Sequence, residues 1–201
     1  MSGQTNQNKR RQRRWSRLAL ALLVLATAVW PGSSRQLPAQ TVRNELKLKT
    51  AFVYNFTRYV RWPQSALKSR KAFVISVYGK GQLGDYLSLL VRKKLKAQGL
   101  PIVVHRFSRW SDYKPSHIVV VPKPNSRAMH AQAIAKLKGK SVLLVCDGSG
   151  LAKQGATINF FFDTNNATVG FELNIDAIKR ARLSVRATLL KVADVVREPT
   201  N

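Results

Sequence analysis

The chain has one cysteine, Cys146, so no disulfide can form within it. Its three histidines, His105, His117 and His130, stand at no metal-ligand spacing. There is no second cysteine to complete a zinc site with them. Acids are scarce as well, nine Asp and Glu against 35 Lys and Arg. Of these, Asp85 and Asp112 fall at element edges, Asp147 in a turn and Glu172 within a strand, which does not suggest a catalytic carboxylate pair. No GxSxG elbow is present, and Cys146 closes an apolar strand, where a buried thiol is expected rather than an activated thiolate. No internal repeat occurs. These absences argue against an enzyme, and no cofactor or metal is expected.

What is present begins with a leader. Six basic residues between Lys9 and Arg17 precede an apolar run from Leu18 to Trp30 and then the helix-breaking PGSSRQLPAQ. That order is the pattern of a signal peptide. The run is shorter than the about 20 residues that span a bilayer. Residues 1–39 are therefore assigned to export, with cleavage near Ala39 expected and an uncleaved anchor as the alternative. Residues 40–201 form one domain. The leader holds seven of the basic residues and no acid, so the formal +26 of the whole chain becomes +19 for the domain. A surface of that charge suits nucleic acid, an anionic envelope surface or an acidic protein face. Export disfavours nucleic acid.

Leu46 to Pro63 is the longest amphipathic run and reads as the domain's first helix, ended by Pro63. Leu48, Ala51, Phe52, Phe56, Tyr59 and Trp62 form the expected apolar arc, with Asn55 near its middle and Lys47, Thr50, Tyr54, Thr57 and Arg61 largely opposite. Burying its large members is worth roughly 1.5–3 kcal/mol each, which calls for a sheet beneath. Strands are expected at 72–78, 100–107, 117–121, 141–146, 156–163 and 167–173. Helices are expected at 82–98, 126–137 and 175–195. Asn165-Asn166 suits the hairpin turn between the last two strands. The order implies a single α/β domain with a mixed, mostly parallel sheet of five to six strands flanked by helices.

Gly79-Lys80-Gly81-Gln82-Leu83-Gly84 is a literal GxGxxG between a strand and a helix, where a dinucleotide-binding turn would stand. The acid expected about 20 residues later is missing, and Arg106 lies near that place. A simple strand-to-helix turn is the better reading. The other unusual positions are polar groups inside apolar runs: Asn55, Asn159 in ATINFFF, and Glu172 with Asn174 in VGFELN. Asn174 is expected to cap the following helix, and Asn55 and Asn159 to satisfy loop backbone. Together with Trp62 and Phe171, these residues are also the candidates for a partner-binding surface.

Lys49-Thr50-Ala51-Phe52-Val53-Tyr54-Asn55-Phe56 with Tyr59-Val60-Arg61-Trp62-Pro63 resembles the opening helix of the YfiR family. Ile158-Asn159-Phe160 and Phe171-Glu172-Leu173-Asn174 resemble its hairpin. The likeness runs over nearly all of residues 47–195. It implies a periplasmic, non-enzymatic α/β regulator, often a homodimer, that restrains an inner-membrane diguanylate cyclase through the cyclase's periplasmic sensor region. It also implies relief by an outer-membrane lipoprotein or by reduction. Ser116 stands where a cysteine is frequent in the family, Arg182 where a glycine is common and Leu151 where a phenylalanine is common. A small-ligand or envelope-binding module feeding a histidine kinase or an uptake system is the alternative.

Overall fold

A computed structural model describes residues 39–68, 70–163, 166 and 168–199. Residues 1–38 of the expected leader, and residue 165 of the hairpin turn, lie outside the described residues. The elements are α1 (Ala39–Tyr59), β1 (Val60–Arg61), α2 (Gln64–Leu67), β2 (Phe73–Tyr78), α3 (Leu83–Arg92), β3 (Lys96–Ala97) and β4 (Leu100–Phe107). After a 3₁₀ turn at Trp110–Asp112 come β5 (Ile118–Val121), α4 (Arg127–Leu137), β6 (Leu143–Asp147), β7 (Ile158–Asp163) and β8 (Thr168–Asn174). The chain closes with α5 (Ile175–Arg180), β9 (Ser184–Val185), α6 (Ala187–Leu190) and β10 (Asp194–Val196).

The main sheet has the order β10-β8-β7-β6-β5-β2-β4-β3. β4, β2, β5, β6 and β7 run parallel, and β8 returns antiparallel to β7 with Asp163 opposite Thr168. Parallel central strands are covered on both faces, so they are apolar throughout rather than alternating. All four residues of β5 and all five of β6 are buried. Their side chains still alternate between two cores. Phe73, Ile75, Val77, Ile118, Val120, Leu143 and Val145 face the side covered by α1, α3 and α5. Tyr78, Val119, Val121, Leu144 and Cys146 face the side covered by α4. The first core centres on Phe52 and Phe56 of α1 against Phe160 and Phe171, with ring centroids 5.2–6.3 Å apart.

The sheet has eight strands rather than five to six, because short edge strands carry no readable periodicity. The expected helix 175–195 is also corrected. α5 stops at Arg180 in a Schellman-type turn, in which the Leu183 N–H donates to the Ile178 carbonyl and the Arg182 N–H to that of Lys179. Arg182 adopts φ +56° there, the left-handed region that glycine enters without strain. The chain then pairs β9 with β1 and lays β10 parallel to β8. α3 ends at Arg92, shorter than 82–98, and Lys96–Ala97 pairs with β4 instead.

α1 starts before Leu46, ends at Tyr59 rather than at Pro63, and is rotated from the expected arc. Lys49, Thr50, Val53, Phe56 and Thr57 are buried, whereas Leu48 and Ala51 are exposed. Thr50 and Thr57 are accommodated because their hydroxyls donate to the Leu46 and Tyr54 carbonyls.

His117 is a structural histidine. Its Nδ1 accepts from the Val74 N–H at 2.9 Å, and its Nε2 lies 3.2 Å from the Ala66 carbonyl. Burial holds its pKa below the usual histidine value. The unfolded chain therefore takes up this proton more readily than the folded one. The stability contributed by neutral His117 is fully present above about pH 6.5 and is lost as pH falls toward the depressed folded value. Urea midpoints should fall between pH 7 and pH 5, and His117→Asn should flatten that slope.

Candidate functional site

β2 leads through α3 to β4 on one side, and the chain then crosses to β5 on the other side of β2. In sheets of this kind the crevice outside the carboxyl ends of the strands, where the winding reverses, is the common binding place. A cleft of about 1160 Å³ opens there. The ends of β2, β4, β5 and β6, the turn 79–83 and the first half of α1 line it.

Its floor holds a buried ion pair. Lys49 on α1 is 2 % exposed, and its Nζ lies 2.6 Å from Oδ2 of Asp147 at the end of β6 and 2.5 Å from Oε1 of Glu45 one helical turn earlier. Lys49, Val53, Phe56 and Val60 fall at i, i+4, i+7 and i+11, so the lysine lies in the buried stripe itself. Its ammonium also stands 5.8 Å over the Phe160 ring. Asp147 is 4 % exposed, and its Oδ1 has no hydrogen-bond partner, with Lys123 Nζ 3.8 Å away. That oxygen has spare acceptor capacity for an N–H or ammonium group, which would have to displace what covers it because the atom is itself buried. The rim carries Lys80, Lys123, Arg106 paired with Asp85 at 2.7 Å, and Arg109 paired with Asp112 at 3.2 Å.

The glycines of the GxGxxG turn serve the protein's own packing. A Cβ on Gly81 would lie 2.6 Å from the Lys123 carbonyl oxygen, and one on Gly84 2.5 Å from the Arg106 guanidinium. Asn125 fastens the turn by accepting from the Lys80 N–H and donating to the Lys80 and Pro122 carbonyls. Arg106 is thus committed to Asp85 and to the space over Gly84.

The six residues singled out from the sequence do not form one patch. Asn159 and Glu172 are cross-strand neighbours 2.8 Å apart. The Asn159 amide also donates to the Gly148 carbonyl and accepts from the Gly148 N–H, bracing the turn that follows Asp147. Phe171 is buried in the aromatic core beneath α1. Asn174, the last residue of β8, is fully buried and caps α5 by accepting from the Asp176 and Ala177 N–H groups at 2.9 Å. Trp62 is buried edge-on against Phe73 and donates to the His117 carbonyl at 3.1 Å. Asn55 is half-buried on α1. Of the six, only Asn55 and Glu172 keep partial exposure.

Cys146 is fully buried, and burial, reinforced by the neighbouring Asp147, pushes its thiol pKa up and keeps it protonated. Ser116 hydrogen-bonds Ser76 at 2.6 Å beside the start of β5, at the end of the sheet opposite Cys146. Among the described residues, no group of three His, Cys, Asp or Glu could hold a metal ion, and no helix is long and apolar enough to cross a membrane.

The sheet and its switch-point cleft define a doubly wound α/β domain, an architecture that hosts binding functions as readily as catalysis. The chain belongs to the YfiR/HmsC-like family, whose sequence pattern matches residues 46–194. Members are periplasmic regulators of diguanylate cyclase signalling rather than enzymes. No curated protein matches the chain.

Proposed function

We propose that the protein is an exported adaptor that binds the periplasmic sensor region of an inner-membrane diguanylate cyclase and holds the cyclase in its inactive state. Family membership over residues 46–194 is the observation that carries this reading. Restraint requires only that the adaptor bind one state of the cyclase more tightly than the other. Asn55 and Glu172 are the partner-contact candidates with exposed surface. Trp62, Asn159, Phe171 and Asn174 would act by holding that surface in place. A homodimer and an outer-membrane lipoprotein that relieves the restraint complete the proposal. Removing the gene should raise cyclic-di-GMP and surface attachment.

A second reading draws on the unpartnered Oδ1 of Asp147: the cleft holds a small ligand bearing an N–H donor, and the protein reports that ligand to a membrane kinase or uptake system. Capture from solubilised membranes separates the two. The first reading recovers a cyclase, the second a ligand without one.

A further inference from the structure

The charge of the domain is concentrated at one end of the sheet. The segments 64–72, 92–101, 113–117 and 137–142 lie where β2, β4, β5 and β6 begin. They contain ten Lys or Arg and no acid. All ten are exposed, and none forms an ion pair among the described residues. The cleft end differs: segments 79–86, 106–112, 122–127 and 147–150 carry five basic residues and three acids. The acids nearest the basic end, Asp176 and Glu198, follow β8 and β10 and are tied to Arg197 and Arg180. Favourable placement at the C-terminal ends of α3 and α4 accounts for Arg92 to Lys94 and for Lys138. It does not account for Arg70, Lys71, Lys114 or Lys140, which stand in strand-entry loops.

We propose that this end of the sheet docks onto a bilayer containing anionic phospholipid. With β3 beside β4, five adjoining strands spaced about 4.8 Å apart make a face roughly 20 Å across, presenting charge in two dimensions rather than along a groove. Arg70 and Lys140 line a recess of about 260 Å³ together with Ser141. A headgroup phosphate fits there, held by the guanidinium fork and the ammonium. Val91 and Val103, 40 % and 44 % exposed, stand on α3 and β4 beside the 92–96 run and offer apolar contact at the lipid interface. Nucleic acid is disfavoured because Trp62 and Phe73 are buried and Tyr113 is half-buried, so among the described residues at this end no exposed ring offers a base a stacking platform. The proposal stands apart from the cyclase reading. If both hold, it brings the adaptor to the leaflet from which the sensor region emerges.

The test is co-sedimentation of the exported domain, residues 40–201 without the basic leader, with phosphatidylcholine vesicles with and without about one third phosphatidylglycerol. Each Lys or Arg near an anionic surface strengthens binding about five-fold, so Arg70→Gln/Lys140→Gln should weaken binding to the anionic vesicles about 25-fold. Arg43→Gln/Lys47→Gln removes the same charge from the exposed face of α1 toward the other end and should change it less than two-fold. Circular dichroism checks folding, and Lys93→Gln/Lys94→Gln replaces the first pair if that pair unfolds. Equal losses in both pairs, no loss in either, or equal binding to neutral and anionic vesicles would overturn the proposal.

Discussion

Lys49→Met should destabilise the domain by about 3–5 kcal/mol, the usual cost of stranding one member of a buried ion pair. Asp147 would lose the 2.6 Å contact at Oδ2 and keep only Lys123, 3.8 Å from an Oδ1 that has no hydrogen bond. Glu45, at 16 % side-chain exposure, can turn toward water and adds less. Replacing both partners, Lys49→Met with Asp147→Leu, should recover most of the loss, since two apolar side chains need no counter-charge. Urea unfolding of the two variants reads the difference directly. A single substitution costing under about 1 kcal/mol would show that water reaches the pair.

Phe56→Ala should cost a similar amount, about 3–5 kcal/mol, for a different reason. The ring is fully buried and packs edge-on to Phe171 at 5.2 Å and stacked on Phe160 at 6.0 Å. Its removal leaves a cavity that α1 cannot close without leaving the sheet. The denaturation midpoint should fall while its slope stays constant, because the same surface is exposed on unfolding. The loss should add to that of a distant substitution and fail to add to Phe171→Ala, which shares the cavity.

These two sites mark what could be read from the sequence. Phe56 was legible because aromatic residues at helical spacing demand a sheet, and the apolar runs from Phe73, Ile118 and Leu143 supply it. Asn174 was legible as a cap because capping is local: the amide, the Asp176 N–H and the Ala177 N–H lie within three residues. Lys49 was not. A lysine reads as solvated unless its counter-ion is known, and Asp147 arrives 98 residues later. The signal was its position four residues before Val53 and seven before Phe56. The C-terminal segment failed for the same non-local reason. Leu183, Leu189 and Leu190 look helical by spacing, but β9 pairs with β1 and β10 with β8, partners far away in the chain. The positive φ of Arg182 hid as well, since a glycine there would have announced the break.

The cleft presents a similar contrast. The GxGxxG turn was visible at once, yet its glycines make room for Lys123 and Arg106. The unpartnered carboxylate oxygen in the floor had no sequence signature.

The most direct measurement of the proposed role is cellular cyclic-di-GMP in a strain lacking this gene, in the same strain complemented with it, and in a strain that also lacks the partner cyclase. The adaptor reading predicts a rise on deletion, restored by the complementing gene and abolished by the second deletion. An unchanged level, or a rise that persists without any membrane cyclase that has a periplasmic sensor region, would contradict it.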